Sequence, residues 1–584
     1  MQRQSFRFRT TLTFCVMFGA IVCSTNLTAA ELTPQQITET WKTGKTLPKS
    51  VFDTYRLPPA RPIQNNTGIN ILVDLNRECR FVWLWNYQNQ FTQNGFRVAS
   101  TQATLDTVLG DNPQGRVRVR TECGEPFAWW TPPDFNVVIV QAGRHNQQQF
   151  LTEEIETLKK FVQEGGGLII ISSTPPTEPI ANSWSFNTLL AAFDAQVLAR
   201  AMEGEFGRAA VLQLSEDWEP MLELGERGII RAQRAFGLGR VLILEHELVL
   251  CAPNLPAGQH NEETRQTEEQ TLARQAELIR WAAGGKEPVG RNVFLPQTRA
   301  GGGGIFPDQE LNLDGLVVYY AKNQSPELMQ VVKDDVPKAH QILYSLLPSE
   351  KPEEPMMFIL SAGSGGGWAV NARLPREVGI ISDSRFGIIE IFAHEQAHTM
   401  RGPRNVQGGY GAKPAHDLSG EAHAGWFQGK AKAHFDETDR ERSNRNANNV
   451  LNDRERFQAY DFAQHFGRHG DSFGWSKLWW VWQKLDDRYG PTWYPRWYWV
   501  RATRWAEQPD HQQTWDETIE DMSIAVGEDL FPFFKAIGTT LGKDRFAQAE
   551  FQGATLTLPV AEIEITPGGN VNLTPVGDYT KPLR

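Results

Sequence analysis

The sequence is poor in cysteine, which leaves room for one disulfide at most in the mature chain. Only five cysteines occur among 584 residues, and two of them lie in the first thirty residues. The other three, Cys79, Cys123 and Cys251, cannot all pair. A bridge between Cys79 and Cys123 is compatible with an oxidising compartment, but spacing alone does not establish it.

The sequence also lacks an internal apolar run long enough to cross a membrane. A spanning helix needs roughly 20 apolar residues, and the one notable run, Leu12 to Cys23, lies directly after three N-terminal arginines. Small residues at 28–30 follow it, an order typical of a cleavable secretory signal. We therefore expect a signal peptide at 1–30, no stable membrane insertion, and a secreted or periplasmic protein.

A cluster of basic residues is absent as well, and the formal net charge is −11. Nucleic-acid binding needs a basic surface, so a nucleic-acid partner is excluded. Hydrophobic residues make up 40% and aromatic residues 11% of the chain, which predicts folded rather than disordered structure. The length predicts two or three domains.

The first half of the mature chain has the pattern of an α/β domain. Residues 31–66 are polar and interrupted by proline, and are predicted to be a leader segment. Within 67–285, a helix capped by Thr152 ends near Gln163. The predicted strands around it are Ile69–Asp74, Phe135–Val140, Leu168–Ser172 and Gly239–His246. Strands alternating with helices favour a parallel, helix-covered sheet.

The run RAGGGG at 299–304 is the clearest linker signal, and we place a glycine-rich linker at 286–304. The next domain is predicted at 305–545, with strands at Val317–Tyr320 and Met357–Leu360 around a helix from Pro326 to Leu347. Beyond Arg376 the pattern is mostly helical, and residues 546–584 alternate like strands in a β-rich tail. The second domain is thus expected to be mainly helical with a small sheet.

The stretch 387–398 reads GIIEIFAHEQAH and ends in a His-Glu-x-x-His motif. On a helix, His394 and His398 lie one turn apart on nearly the same face, so both imidazoles can bind one metal ion. Glu395 beside them suits a general base that activates the attacking water. The motif predicts one zinc ion per chain and a zinc metallopeptidase, although a buried helix can also use these residue types for hydrogen bonds.

A catalytic zinc site needs a third protein ligand. Residues 399–404 offer no third histidine close to the motif, whereas Glu421 follows His398 after 22 residues at the start of a predicted helix. Glu421 is our choice, and His416 and His423 are the alternatives. Tyr410 and His423 are both candidates for the hydrogen-bond donor that stabilises the oxyanion.

These residues together resemble the peptidase M60 (enhancin-like) gluzincin family. The resemblance rests on His394, Glu395 and His398, on the downstream Glu421, and on the stretch EDMSIAVGEDLFPFFK at 520–535. It implies a zincin-type (gluzincin) fold, with a late helix pair packed beneath the site. It also implies hydrolysis of peptide bonds in protein or glycoprotein substrates, including mucin-like ones.

The stretch GRVLILEH at 239–246 is similar to the class I glutamine-amidotransferase-like domain that precedes the M60 domain in some members. Amidotransferases carry a nucleophilic cysteine in a tight turn after a strand. No cysteine follows the strand that ends at Val140, so we expect this domain to be non-catalytic.

Two other functions stay open at this point. One is a catalytically inactive glycan- or protein-binding module that keeps the zincin fold, for which nine tryptophans between Trp475 and Trp515 could supply sugar-stacking faces. Burial is the commoner fate of such rings, and we expect only one or two to be accessible. The other is an exopeptidase, but no group that would anchor a free terminus is visible. The intact Glu395 favours an endopeptidase.

Overall fold

The structure is a computed structural model. It describes the following residues: 63, 65–77, 88–110, 115–120, 127–141, 149–172, 185–225, 228–252, 262–288, 295–296, 304–347, 352–361, 363, 366–370, 376–382, 384–400, 421–435, 449–465, 472–490, 492–504, 513–544, 561–564 and 572–575. The chain divides into two compact units. Within the described residues, the sheet unit comprises residues 63–339 and 352–395, and the helical unit comprises residues 340–347 and 396–575.

The larger sheet of the sheet unit has nine strands in the order β2-β1-β5-β6-β11-β10-β8-β7, with β9 paired to β10. A separate hairpin is formed by β3 and β4. The strands are β1 Asn70–Asp74, β2 Arg97–Thr101, β3 Val117–Arg120, β4 Phe127–Trp130, β5 Val137–Gln141, β6 Gly167–Ile171, β7 Ala195–Gly204, β8 Gly207–Leu214, β9 Glu219–Glu223, β10 Ile229–Phe236 and β11 Gly239–Leu244. The helices are α1 Leu105–Leu109, α2 Thr152–Gln163, α3 Ser185–Ala191 and α4 Glu262–Ala283.

The predicted α/β character of this region is confirmed, but the sheet is mixed rather than parallel. β2, β1, β5, β6 and β11 pair in parallel, and nearly all of their residues are buried, as is typical of parallel strands. β10, β8, β7 and β9 pair antiparallel, and the partly alternating burial of β7 and β10 is typical of strands with one face in water. The sequence reasoning overlooked these strands because polar residues interrupt them.

Helix α2 has the predicted bounds, but Thr152 does not cap it. Thr152 is the first helical residue, and Leu151 occupies the cap position. The carboxylate of Glu154 accepts hydrogen bonds from the backbone N–H of Leu151 and of Leu105, each at 3.0 Å. Arg77 donates to the same buried carboxylate at 2.5 Å, so the start of α2 is fixed by a buried ion pair.

The second sheet has five strands in the order β12-β13-β14-β16-β15. β13, β14 and β16 are parallel, while β12 and β15 run antiparallel at the two edges. The strands are β12 Gln309–Leu313, β13 Leu316–Tyr320, β14 Met356–Ser361, β15 Gly366–Val370 and β16 Glu377–Ile381. Two helices, α5 Pro326–Asp334 and α6 Val336–Leu346, replace the single predicted one. β16 lies beyond Arg376, where a mostly helical pattern was expected and no strand was predicted.

Both sheets contribute to one hydrophobic core. Ile71 and Leu242 of the larger sheet belong to the same buried cluster as Ile359, Trp368 and Ile381 of the smaller one. Both sheets belong to the same compact unit. The linker predicted at 286–304 lies largely outside the described residues, so it and the domain start at 305 stay predictions.

The helical unit is mainly helical, as predicted. Its helices are α8 Glu421–Phe435, α9 Arg454–Ala459, α10 Phe462–His465, α11 Ser472–Tyr489, α12 Trp493–Arg504, α13 Trp515–Val526 and α14 Phe531–Ala536. Helix α7, Arg385–Thr399, begins in the sheet unit and ends in the helical unit. In the predicted tail, β17 Ala561–Glu564 and β18 Asn572–Pro575 form a two-stranded antiparallel sheet.

Among the residues that the structure describes, no helix is both long enough and apolar enough to span a bilayer. The signal peptide expected at 1–30, most of the leader at 31–66, and Cys79 and Cys123 lie outside these residues.

Candidate metal centre

The His-Glu-x-x-His motif lies on α7, as its pattern predicts. The hydroxyl of Ser384 accepts a hydrogen bond from the backbone N–H of Gly387 at 3.2 Å and so caps the helix start. Ile388 and Phe392 are fully buried. The ring of Phe392 meets Phe358 of β14 edge-on at 5.2 Å. This apolar packing fixes the helix against the smaller sheet and determines where its polar residues point.

Three potential ligands converge at the C-terminal half of α7. His394 and His398 are one turn apart on the same continuous helix, and Glu421 is the first residue of α8. One side-chain donor atom from each lies within 4.8 Å of the others. Nε2 of His398 is 3.6 Å from Oε1 of Glu421. His398 is buried, and His394 and Glu421 are half-buried, so the group is not sealed from solvent.

This donor set fits a zinc ion. Two imidazoles and one carboxylate are a common ligand set of catalytic zinc, and two ligands of a tetrahedral zinc are about 3.3–3.6 Å apart. The separation of 3.6 Å between His398 and Glu421 falls in that range. The spread of up to 4.8 Å across the whole group can be closed by small side-chain rotations. Of the sequence-derived ligands, the structure brings together His394, His398 and Glu421.

Glu395 is held close to the edge strand β15. Its side chain is 8% exposed. A Cβ atom added to Gly367 would lie 2.6 Å from Cγ of Glu395, 2.6 Å from Cγ2 of Ile391 and 2.7 Å from Oε1 of Glu395. Only glycine allows β15 to approach α7 this closely. The backbone of β15 therefore limits the conformations that are open to the Glu395 carboxylate.

Gln396, the residue after Glu395, ties α7 to α6. Its Oε1 lies 3.1 Å from Nδ1 of His340, and its Nε2 donates to the backbone carbonyl of His340 at 3.4 Å. Gln396 is fully buried and His340 is 4% exposed. Buried polar pairs of this kind orient the element that carries them. The pair supports the half of α7 on which His398 lies.

The structure does not include His423 in the ligand group. His423 is 2% exposed, and its Nδ1 lies 3.0 Å from the hydroxyl of Tyr494. Its ring packs on Phe427 and Tyr498. His423 therefore belongs to an aromatic cluster on α8 and α12 rather than to the metal group. The other alternative ligand, His416, and the oxyanion candidate Tyr410 lie outside the described residues.

The aromatic-rich segment between Trp475 and Trp515 is mostly internal. Four of its tryptophans are at most 5% exposed: Trp482, Trp493, Trp497 and Trp515. Those at positions 475, 479 and 480 are half-buried, and the side chains at positions 499 and 505 are not among those described. None of the described rings here is an exposed large hydrophobic residue. The four buried rings therefore belong to a core, and none of the described tryptophans here supports a sugar-stacking surface by strong exposure.

Cys251 is the one cysteine within the described residues, and it is fully buried. Its Sγ lies 3.8 Å from Nε2 of Gln275 on α4. Buried cysteines are generally structural and unreactive. At the end of β5, Gln141 donates to the buried carboxylate of Glu247 at 3.4 Å. The expectation of a non-catalytic domain stays a prediction, because residues 142–148 lie outside the described residues.

Sequence reasoning missed Gly367, Gln396 and His340 as residues that shape the site. The glycine run at 365–367, which overlaps the start of β15, was a usable signal, since glycine inside a strand marks a close backbone approach. No sequence signal could have paired His340 with Gln396, because 55 residues separate them.

Comparisons with known proteins add little to this geometry. No protein-family model matches the chain, and no curated protein matches it. Among solved structures, the chain is similar to the mmIFT52 N-terminal domain, with 12% identity, a TM-score of 0.23, and coverage of 37% of this chain and 99% of that one. It is also similar to the cytoplasmic protein STM3548 from Salmonella typhimurium, with 9% identity, a TM-score of 0.22, and coverage of 36% and 98%. At such TM-scores neither likeness carries an argument, so the function must be inferred from the site.

Proposed function

We propose that the protein is a secreted zinc metallopeptidase that hydrolyses peptide bonds in proteins, glycoproteins included. The observation that carries the proposal is the convergence of donor atoms from His394, His398 and Glu421 within 4.8 Å. Glu395 lies next to the first of these residues on the same helix. A binding-only site would not need a carboxylate beside its metal.

Each residue has a distinct role in the proposed reaction. His394, His398 and Glu421 would hold one zinc ion, which when bound acts as a Lewis acid toward water and the scissile carbonyl. Glu395 takes the proton of the attacking water and passes it to the leaving amine nitrogen. The low exposure of Glu395 and its contact with β15 restrict the conformations of this carboxylate.

The position of β15 supports a polypeptide substrate. β15 is an edge strand of the five-stranded sheet, and within the described residues it pairs only with β16. An extended peptide can add to such an edge through main-chain hydrogen bonds. Gly367 of β15 contacts the side chain of Glu395, so a peptide on this edge would lie beside the general base. Binding along a strand places chain on both sides of the cut, which favours an endopeptidase.

The proposal extends to the family and the location. A divergent M60-like gluzincin with an N-terminal class I amidotransferase-like domain is supported by the five parallel strands of the larger sheet. It is also supported by the helix pair α13 and α14, which Gly527 joins with a left-handed φ of 71°. The N-terminal signal pattern supports secretion or a periplasmic location.

The test compares the parent protein with Glu395→Gln. Both should bind about one zinc ion per chain, because Glu395 is not a ligand, while the variant should lose nearly all turnover. Each protein is incubated with a panel of proteins and glycoproteins, with and without a chelator, and the cut sites are mapped by mass spectrometry.

Glu455→Gln is the matched control, because Glu455 is an exposed glutamate on α9 and its substitution makes the same chemical change. It should keep full activity. A Glu395→Gln protein as active as the parent would remove Glu395 from the mechanism. A parent that binds zinc and glycoproteins without cutting any substrate would instead favour the inactive binding module.

A further inference from the structure

Tyr494 of α12 forms a hydrogen bond with His423 of α8, and no sequence motif indicates a role for it. We propose that Tyr494 is a positioning residue for Glu421: its hydrogen bond to His423 sets the rotation of α8, and thereby the direction of the Glu421 carboxylate. The inference rests on the proposed function, since Glu421 is the third ligand of the proposed zinc centre.

The geometry of helix α8 links the position of His423 to the direction of Glu421. Each helical residue advances by about 100°, so Glu421 and His423, two residues apart, project from nearly opposite sides of α8. An anchor on the His423 side therefore decides which way Glu421 faces. The anchored side continues at Phe427, which packs on His423, and at Lys430, which binds Asp486 of α11.

Dense packing around Tyr494 restricts its side chain and so keeps its contact with His423 in place. Its side chain is fully buried. The ring stacks on Trp426 of α8 at 4.3 Å and 12°, and it meets Trp482 and Trp497 edge-on. Burial raises the pKa of the Tyr494 phenol, so its hydroxyl stays protonated and the hydrogen bond to His423 persists.

A second anchor lies farther along α8 and holds its later turns. Nε1 of Trp426 donates to Oδ1 of Asp486 at 3.2 Å, and Nε1 of Trp493 donates to the same oxygen at 2.7 Å. Asp486 thus ties the middle of α8 to α11 and α12, whereas His423 ties its first turn. Loss of the Tyr494 hydroxyl should loosen that first turn while the rest of the helix stays packed.

The experiment measures zinc affinity in the full-length protein carrying Tyr494→Phe, which removes one oxygen and keeps the ring. Zinc Kd is determined by competition with a chromogenic chelator, and we expect it to rise roughly 10- to 100-fold. The visible spectrum of the Co²⁺-substituted protein reports the ligand geometry directly. It should shift toward the spectrum of Glu421→Ala, a change that lost stability alone would not produce.

Tyr489→Phe is the matched control. Tyr489 is 7% exposed, and its hydroxyl donates to Glu528 at 2.8 Å, so the same atom and a comparable hydrogen bond are lost away from α8. This variant should keep the parent's zinc Kd within twofold and its cobalt spectrum. If Tyr494→Phe does not fold, His423→Leu removes the same hydrogen bond from the other partner and must show the same loss of affinity.

Equal zinc affinity and equal cobalt spectra in the parent and Tyr494→Phe would overturn this inference alone. A parent protein that binds no zinc would overturn the proposed function, and this inference with it.

Discussion

Substitution of Gly367 by alanine should separate catalysis from metal binding. The new methyl carbon would lie 2.6 Å from Cγ of Glu395 and 2.6 Å from Cγ2 of Ile391. Non-bonded carbons normally approach to about 3.5–4.0 Å. The strand or the carboxylate must therefore shift by about 1 Å, and a misplacement of about 1 Å in a catalytic group costs on the order of 100-fold in rate. Overpacking of this size also lowers the free energy of unfolding by about 1–3 kcal/mol.

The assay compares kcat for a fluorogenic peptide with the zinc content of the same sample. Gly367→Ala should lose about 100-fold in kcat and keep its zinc, because the three atoms nearest to the new methyl group belong to Glu395 and Ile391 and not to a proposed ligand. Gly429→Ala is the control, since a Cβ at Gly429 of α8 has no neighbour within 4 Å. Unchanged kcat in Gly367→Ala, or zinc loss in proportion to activity, would refute the proposed link between β15 and Glu395.

Two further substitutions test separate parts of the structure. Glu421→Ala should lower both the zinc content and the rate of peptide hydrolysis, whereas His416→Ala should lower neither. Metal analysis and peptide assays measure the two quantities. The reverse result would reassign the third ligand to His416. Lys477→Met should lower the free energy of unfolding by about 3 kcal/mol or more, because the buried ammonium of Lys477 donates to the backbone carbonyls of Phe457, Tyr460 and Ile537. Urea unfolding measures this loss. The control is Lys484→Met on the same helix, which should change the free energy of unfolding little because Lys484 is 40% exposed. An equal loss in the two variants would contradict the stabilising role of Lys477.

The local features of the site could be predicted from sequence. The spacing of His394 and His398 requires only a helix, and the apolar residues of the motif bury one face of that helix against a sheet. Glu421 could be chosen because a third ligand was needed and because it begins the next helix. These are arguments about short stretches of chain, in which backbone geometry decides the outcome.

Features that depend on distant packing could not be predicted. The four antiparallel strands between Ala195 and Phe236 alternate polar and apolar residues weakly. Their pairing is decided by partners elsewhere in the sheet. The placement of His423 in an aromatic cluster likewise depends on Tyr494, 71 positions away. One sequence contains the residue types, but it does not show which of them meet.

The core shared by the two sheets determines how this protein can be cut and recombined. A fragment starting after the glycine run would present Phe306, Tyr319 and Trp368 to water, since the residues that cover them belong in part to the larger sheet. Such a fragment would aggregate or misfold, however complete its metal ligands. The half that carries the proposed metal ligands is therefore not expected to fold alone, and the larger sheet is expected to act as its folding partner.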